Sequence, residues 1–121
     1  MGRSENDLDD YALMRGIAAR DQTSLRTLYD RYAALVYTLV VRILRDRADA
    51  DELLTDVFWE IWVQGNRFDE SRGCPRSYLV TLARSRAIDR LRSRGRHATV
   101  MQISQSPAAA QKDSAETSES A

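Results

Sequence analysis

Between Arg67 and Arg96 nine arginines stand against three acids, Asp69, Glu70 and Asp89, in a chain of 121 residues whose formal net charge is zero. A guanidinium stays protonated at any working pH, so it cannot shuttle protons. Its planar fork of donors suits phosphate oxygens and base edges. A local excess of positive charge on a loop and a helix is therefore a recognition surface for a polyanion, with nucleic acid the first partner to consider. A second stretch has the opposite sign: from Asp46 to Glu60 six acids are opposed by Arg47 alone. A charge run of this kind usually marks a solvated helix face. Trp59, a large aromatic side chain set among these acids, points instead to an interface anchor.

Catalytic chemistry has little to work with. There is no glycine-rich phosphate loop, no nucleophile–base–acid set and no carboxylate pair with a defined pocket. His97 is the single histidine and Cys74 the single cysteine, so neither a disulfide framework nor a His/Cys metal cluster can be built. The expectation is a protein that is not an enzyme, with no catalytic residue, no metal and no cofactor. Cys74 reads as inert, because no resolving cysteine accompanies it. Arginine outnumbers lysine seventeen to one; GC-rich coding explains the ratio, and the clustering carries the functional information.

The elements that must position these groups read as helices. Residues 7–19 place Leu8, Tyr11, Met14, Ile17 and Ala18 at helical spacing. The strongest periodic signal follows. Leu25, Leu28, Tyr29, Tyr32, Leu35, Val36, Leu39, Val40 and Ile43 form one broad apolar stripe, with Asp21 or Thr23 as its cap. The tyrosines on that stripe read as packing residues. Asp49-Ala50-Asp51-Glu52 reads as a capping box opening a third helix, in which Leu53, Leu54, Val57, Phe58, Ile61 and Trp62 face inward and Asp51, Thr55, Asp56, Trp59 and Glu60 outward. Gly65, the FDESRG loop and Cys74-Pro75 break the chain, with Pro75 suited to a first helical turn. In the fourth helix Leu79, Leu82, Ala83, Ala87, Ile88 and Leu91 are expected inside. Arg76, Thr81, Arg84, Ser85, Asp89 and Arg92 recur on the outer side, and the helix is expected to fray over Ser93–Gly95.

The resulting fold class is all-α, a compact bundle of about four helices. Its expected boundaries are a flexible residue 1–6 segment, one helical domain over 7–97 and a disordered tail or linker over 98–121, where Ala, Ser, Gln and Thr cannot bury enough apolar area to offset ordering entropy. No apolar run approaches the roughly 18 residues of a membrane span, and the acidic N-terminus is unlike a signal peptide. A cytoplasmic protein without direct membrane insertion is expected.

DADELLTDVFWEIW, then RFDESRG and SYLVTLARSRAIDRLRSR, together resemble region 2 of bacterial extracytoplasmic-function sigma factors, the promoter-reading subunits of RNA polymerase. SLRTLYDRYAALVYTLVVRIL resembles the family's preceding long helix, so the likeness covers about residues 7–96. The order and spacing of these motifs make the match specific. The resemblance implies that Asp51, Glu52, Leu54, Thr55, Asp56, Trp59 and Glu60 dock on the coiled coil of the beta-prime subunit of core RNA polymerase. It implies that the loop Arg67, Phe68, Asp69, Glu70, Ser71, Arg72 and Gly73 captures a base flipped from the nontemplate strand of the promoter minus-ten element. The fourth helix, through Arg76, Tyr78, Thr81, Arg84, Ser85, Asp89 and Arg92, would then meet promoter DNA. An anti-sigma factor is a further partner that the resemblance implies, and a helical platform inhibited by such a factor is the alternative reading. Ser85 stands where many members carry Asn and Tyr78 where many carry Trp, so the base preference is not carried over. Nothing after Ala98 resembles the family's second, helix-turn-helix domain; the expectation is a fragment ending in the interdomain linker.

Overall fold

The computed structural model describes residues 5–103, and side chains over residues 9–96. Four helices follow in order: α1 Glu5–Ala18, α2 Gln22–Leu44, α3 Arg47–Val63 and α4 Pro75–Ile103. Two single-turn 3-10 segments, Gly65–Arg67 and Glu70–Arg72, join α3 to α4. The described residues are all-α, as the apolar periodicity requires.

Helix α2 is the centre, in contact with each of the other three helices. Its Leu28, Tyr32, Val36, Val40 and Leu44 recur every four residues and are all buried. Each fully buried Val or Leu contributes about 1.5–3 kcal/mol, so this one stripe is a major source of stability. Met14 and Ile17 of α1, then Leu53, Leu54, Val57, Phe58 and Ile61 of α3, and Leu79, Ala83 and Ala87 of α4 close the core around it. The alanines matter because a short side chain lets α4 approach closely.

Short junctions set the helix angles. After α1 the chain turns through Arg20, whose φ of 68° is left-handed. The amide of Asp21 donates to the Gly16 carbonyl (2.9 Å) and that of Arg20 to the Ile17 carbonyl (2.9 Å), the pairing of a Schellman cap. A non-glycine residue here costs about 1–2 kcal/mol. Arg20 offsets that cost by donating to the Trp62 and Val63 carbonyls at the open end of α3, with its guanidinium 5.3 Å from the Trp62 ring centre. It thereby places a cation at the negative pole of α3. Asp21 then caps α2, accepting from the Thr23 amide (3.1 Å) and the Ser24 hydroxyl (3.0 Å). Between α2 and α3 only Arg45 (φ 58°) and Asp46 intervene.

Four expectations are corrected. The cap of α3 is Asp46, which accepts from the Asp49 amide at 2.9 Å. Asp49 and Glu52 therefore lie within the helix, and their carboxylates turn to α4. Leu91 is 41 % exposed because α4 has passed the end of the core by that point. Helix α4 also does not end at Ser93–Gly95 but continues to Ile103, so the segment expected to start a disordered tail at 98 begins as helix. Tyr29 lies at the rim of the apolar stripe, 38 % exposed, with its ring edge-on to Phe58 at 5.0 Å. Residues 1–4 and 104–121, which include most of the expected flexible ends, lie outside the described residues.

A buried polar cluster ties α1 to α2. Asp10 is completely buried and accepts from the Arg31 guanidinium and the Tyr32 hydroxyl. Burial, then the bond to Asp10, pushes the Tyr32 phenol well above its ordinary value. A carboxylate without such partners would not tolerate this position.

Candidate nucleic-acid interface

Arg76, Thr81, Arg84, Ser85, Asp89 and Arg92 of α4 are all exposed. Thr81, Ser85, Asp89 and Arg92, at spacings of three and four residues, lie opposite Leu79, Ala83 and Ala87, with Arg84 flanking them. Arg76, nine residues before Ser85, projects from a different side in the first turn, where its charge acts on Tyr32 of α2. Arg76, Arg84 and Arg92 make no ion pair among the described residues, so their donors remain available to a ligand. Thr81, Arg84, Ser85, Ile88, Asp89 and Arg92 enclose a shallow depression of about 330 Å³ on this face.

Where α4 meets the preceding loop there is a larger open cleft of about 580 Å³, with Arg67, Phe68, Tyr78, Thr81, Ser85 and Arg86 among its walls. Asp69 shapes the loop. Its carboxylate accepts from the Ser71 amide (3.0 Å) and hydroxyl (2.7 Å), and these two bonds hold its pKa below the usual range. Gly73 completes the turn at φ 155°, a conformation that side chains rarely adopt. Helix α1 anchors the loop from behind: the Tyr11 hydroxyl donates to the Gly73 carbonyl (3.0 Å), and Arg15 grips Glu70 through two bonds of 2.9 and 3.0 Å. The Phe68 ring lies between Tyr11 (6.0 Å) and Tyr78 (5.3 Å). Phe68 and Tyr78 are thus half-buried walls, and Glu70 is engaged with α1. Among the described residues, Arg67, Asp69, Ser71 and Arg72 are the exposed side chains of the loop with no hydrogen bond or ion pair to another element. Cys74 sits at the junction, its thiol 3.2 Å from the Ser77 hydroxyl.

The acidic stretch is disposed differently from its expected outward face. Three arginines of α4 at four-residue spacing, Arg86, Arg90 and Arg94, turn toward α3. Arg86 meets Glu60 in a two-bond pair (2.8 and 2.5 Å). Arg90 reaches Asp49 (3.2 Å), Glu52 (2.8 Å) and Asp56 (3.2 Å). Arg94 bonds Asp49 (2.6 Å) and the last carbonyl of α2, that of Leu44 (2.9 Å). The bonds from Arg86 hold the Glu60 carboxyl below its ordinary value, against a smaller opposing effect of burial. Burial first, then the nearby Glu60 charge, pushes the Tyr78 phenol up.

Seven α3 residues implied for docking are therefore placed in three ways. Leu54 is corrected: at 7 % exposure it is core, unavailable to a partner. Glu52, Asp56 and Glu60 spend part of their charge on α4. Asp51, Thr55 and Trp59, at four-residue spacing, form the exposed stripe, and Trp59 is 63 % exposed. Beside Trp59 runs a groove of about 690 Å³ walled by Leu25, Tyr29, Phe58 and Trp62. Sequence reasoning missed Arg86, Arg90 and Arg94 as bridging residues. Their register against Asp49, Glu52, Asp56 and Glu60 was the signal, visible only if the two helices were known to pack side by side.

Among the described residues no cluster of three or more His, Cys, Asp or Glu side chains could hold a metal ion, and no helix is long and apolar enough to cross a membrane. Residues 28–97 match the family model for sigma-70 region 2. The chain belongs to the sigma-70 region 2 family. Among curated proteins, this region 2 domain is 38 % identical over 90 residues to the ECF RNA polymerase sigma factor SigK of Mycobacterium tuberculosis, covering 74 % of this chain and 47 % of that protein. It is 40 % identical over 87 residues to the protein of the same name from Mycobacterium sp. strain KMS, covering 72 % and 44 %. The chain thus spans about half the length of the curated relatives it matches. The matched family region takes in most of α2, all of α3 and the loop, and the described side-chain portion of α4.

Proposed function

We propose that this region 2 domain acts in transcription initiation: it docks on core RNA polymerase through α3 and receives the nontemplate strand of the promoter minus-ten element on the loop cleft and the outer face of α4. The observation that carries the reading is the division of the arginines. Arg86, Arg90 and Arg94 are paired with α3, while Arg67, Arg72, Arg84 and Arg92 make no ion pair among the described residues and line the cleft and the adjoining depression, which meet at Thr81 and Ser85. Unpaired arginines hold phosphates and set the register of a strand, while short hydroxyls such as Thr81 and Ser85 address base edges. Extruding a base from the stack costs a few kcal/mol, which the aromatic walls of the cleft help to recover by stacking. Recognition of the minus-ten strand also favours its melting, because the open strand is what binds.

The test is fluorescence anisotropy of labelled single-stranded minus-ten oligonucleotides with the chain on core polymerase, across a salt series. Binding through three phosphates gives a slope of log K against log salt of about −2. Affinity independent of both salt and sequence would overturn the DNA role. For docking, Asp51→Arg and Trp59→Ala alter the exposed stripe without touching the bridges to α4. Polymerase binding that survives both changes would remove the docking assignment. The groove beside Trp59 supports a second reading, an anti-sigma factor that lays an apolar helix there and occludes the domain; co-purification of the chain with such a factor, lost on Trp59→Ala, is its expected result.

A further inference from the structure

We propose that Arg86 reads a hydrogen-bond acceptor on a base held in the cleft, and that Glu60 is the positioning residue that aims it; the inference rests on the cleft being a single-strand site. Arg86 differs from the other cleft arginines in being fixed. Glu60 takes its Nε (2.8 Å) and its Nη2 (2.5 Å), which sets the plane of the guanidinium at two points. The Nη1 edge is left over: the Asp89 carboxylate lies 3.7 Å from it, too far for a hydrogen bond. Arg86 itself is one of the cleft walls, together with Tyr78, Thr81 and Ser85.

Charge decides what such an edge recognises. The carboxylate of Glu60 is held ionised by Arg86, so the pair is close to neutral and has little pull on a phosphate. What remains is a directed N–H donor between aromatic walls, suited to an uncharged acceptor such as guanine O6 or N7 or a pyrimidine carbonyl. Arg67 and Arg72 at the rim are exposed and make no ion pair among the described residues, and they take the phosphate role instead. Two kinds of arginine contact, one orienting the strand and one reading it, thus occur in one cleft.

A randomised single-strand library, partitioned by the chain on core polymerase and sequenced, gives a preference matrix for each nucleotide position, and a salt titration on the best strand gives the slope. Arg86→Gln is expected to flatten one position of the matrix by about fivefold, the low end for a single-edge contact. Glu60→Gln is expected to flatten the same position while steepening the slope by less than about 0.7, because Arg86 loses its two-bond partner and keeps only the looser pairing with Asp89. Should the Gln variant of Arg86 fail to fold by circular dichroism, Arg86→Lys keeps the charge but loses the fixed plane, and it is expected to flatten the same position. An unchanged matrix in these variants overturns the inference and leaves the proposed function standing. So does a matrix retained with a slope shallower by about 0.7, which would make Arg86 a phosphate contact. A featureless wild-type matrix overturns the reading of the cleft itself.

Discussion

Replacing Arg90 with Gln removes the guanidinium that joins α4 to three acids of α3. Its side chain is 18 % exposed, as is that of Asp49, while Glu52 and Asp56 are 45 % and 57 % exposed. The two outer pairs sit in high dielectric and are worth about 0.2–1 kcal/mol each. The inner pair is closer to a buried one, whose rupture costs about 3–5 kcal/mol when a charge is stranded. Asp49 is not stranded, because Arg94 still bonds it at 2.6 Å. The expected loss is therefore about 1–2 kcal/mol, a fall in Tm of about 4–8 °C per kcal/mol for a domain of this size. Urea and thermal unfolding followed by helical circular dichroism measure it, and the loss should shrink in high salt as the outer pairs are screened. A loss above about 4 kcal/mol would mean that Asp49 depends on Arg90 alone, and no loss at low salt would mean that the bridges are not held in solution. The same variant separates stability from docking. Glu52 and Asp56 regain their full charge, so binding to core polymerase at low salt, well below the melting temperature, is expected to hold or tighten; weaker binding there would refute competition between Arg90 and the docking partner.

Gly16→Ala is expected to destabilise by about 1–3 kcal/mol, since the new Cβ would lie 2.0 Å from the Ser24 hydroxyl oxygen and 2.8 Å from its Cβ. Ser24→Gly in the same chain removes both atoms, and partial recovery of Tm in the double variant checks the cause. Acid should also weaken the fold in a predictable window. The Glu60 pKa is lower folded than its ordinary 4.5, so its contribution is complete above about pH 4.5 and is lost as pH falls through the folded value; Glu60→Gln should remove part of that slope in denaturation measured from pH 6 down to 3.

How far the sequence could be read depended on whether a property was local. The α2 stripe was legible because its period of 3.6 imposes itself on any environment, and Asp21 was legible as a cap because the residue types that satisfy open amides are few. The start of α3 was misplaced by three residues because Asp46 and Asp49 both have capping chemistry, and only the backbone angles at Arg45 and Asp46 choose between them. The length of α4 was underestimated because Ser93 and Gly95 are weak helix formers, whereas Arg94 bonds across to Leu44 and Asp49 and holds that turn in place.

By itself the sequence determined that this chain is helical, that its apolar stripes meet in one core, and that a basic loop and helix follow an acidic helix. Those are consequences of residue type and spacing along one strand of chain. Tertiary structure decided which charges remain available. Once α3 and α4 lie side by side, Arg86, Arg90 and Arg94 are matched with Asp49, Glu52, Asp56 and Glu60, while Arg76, Arg84 and Arg92, on the same helix, stay exposed with no ion pair among the described residues. Charge is counted along the chain but neutralised across it, over a few ångströms, and only the packing of helices fixes those distances.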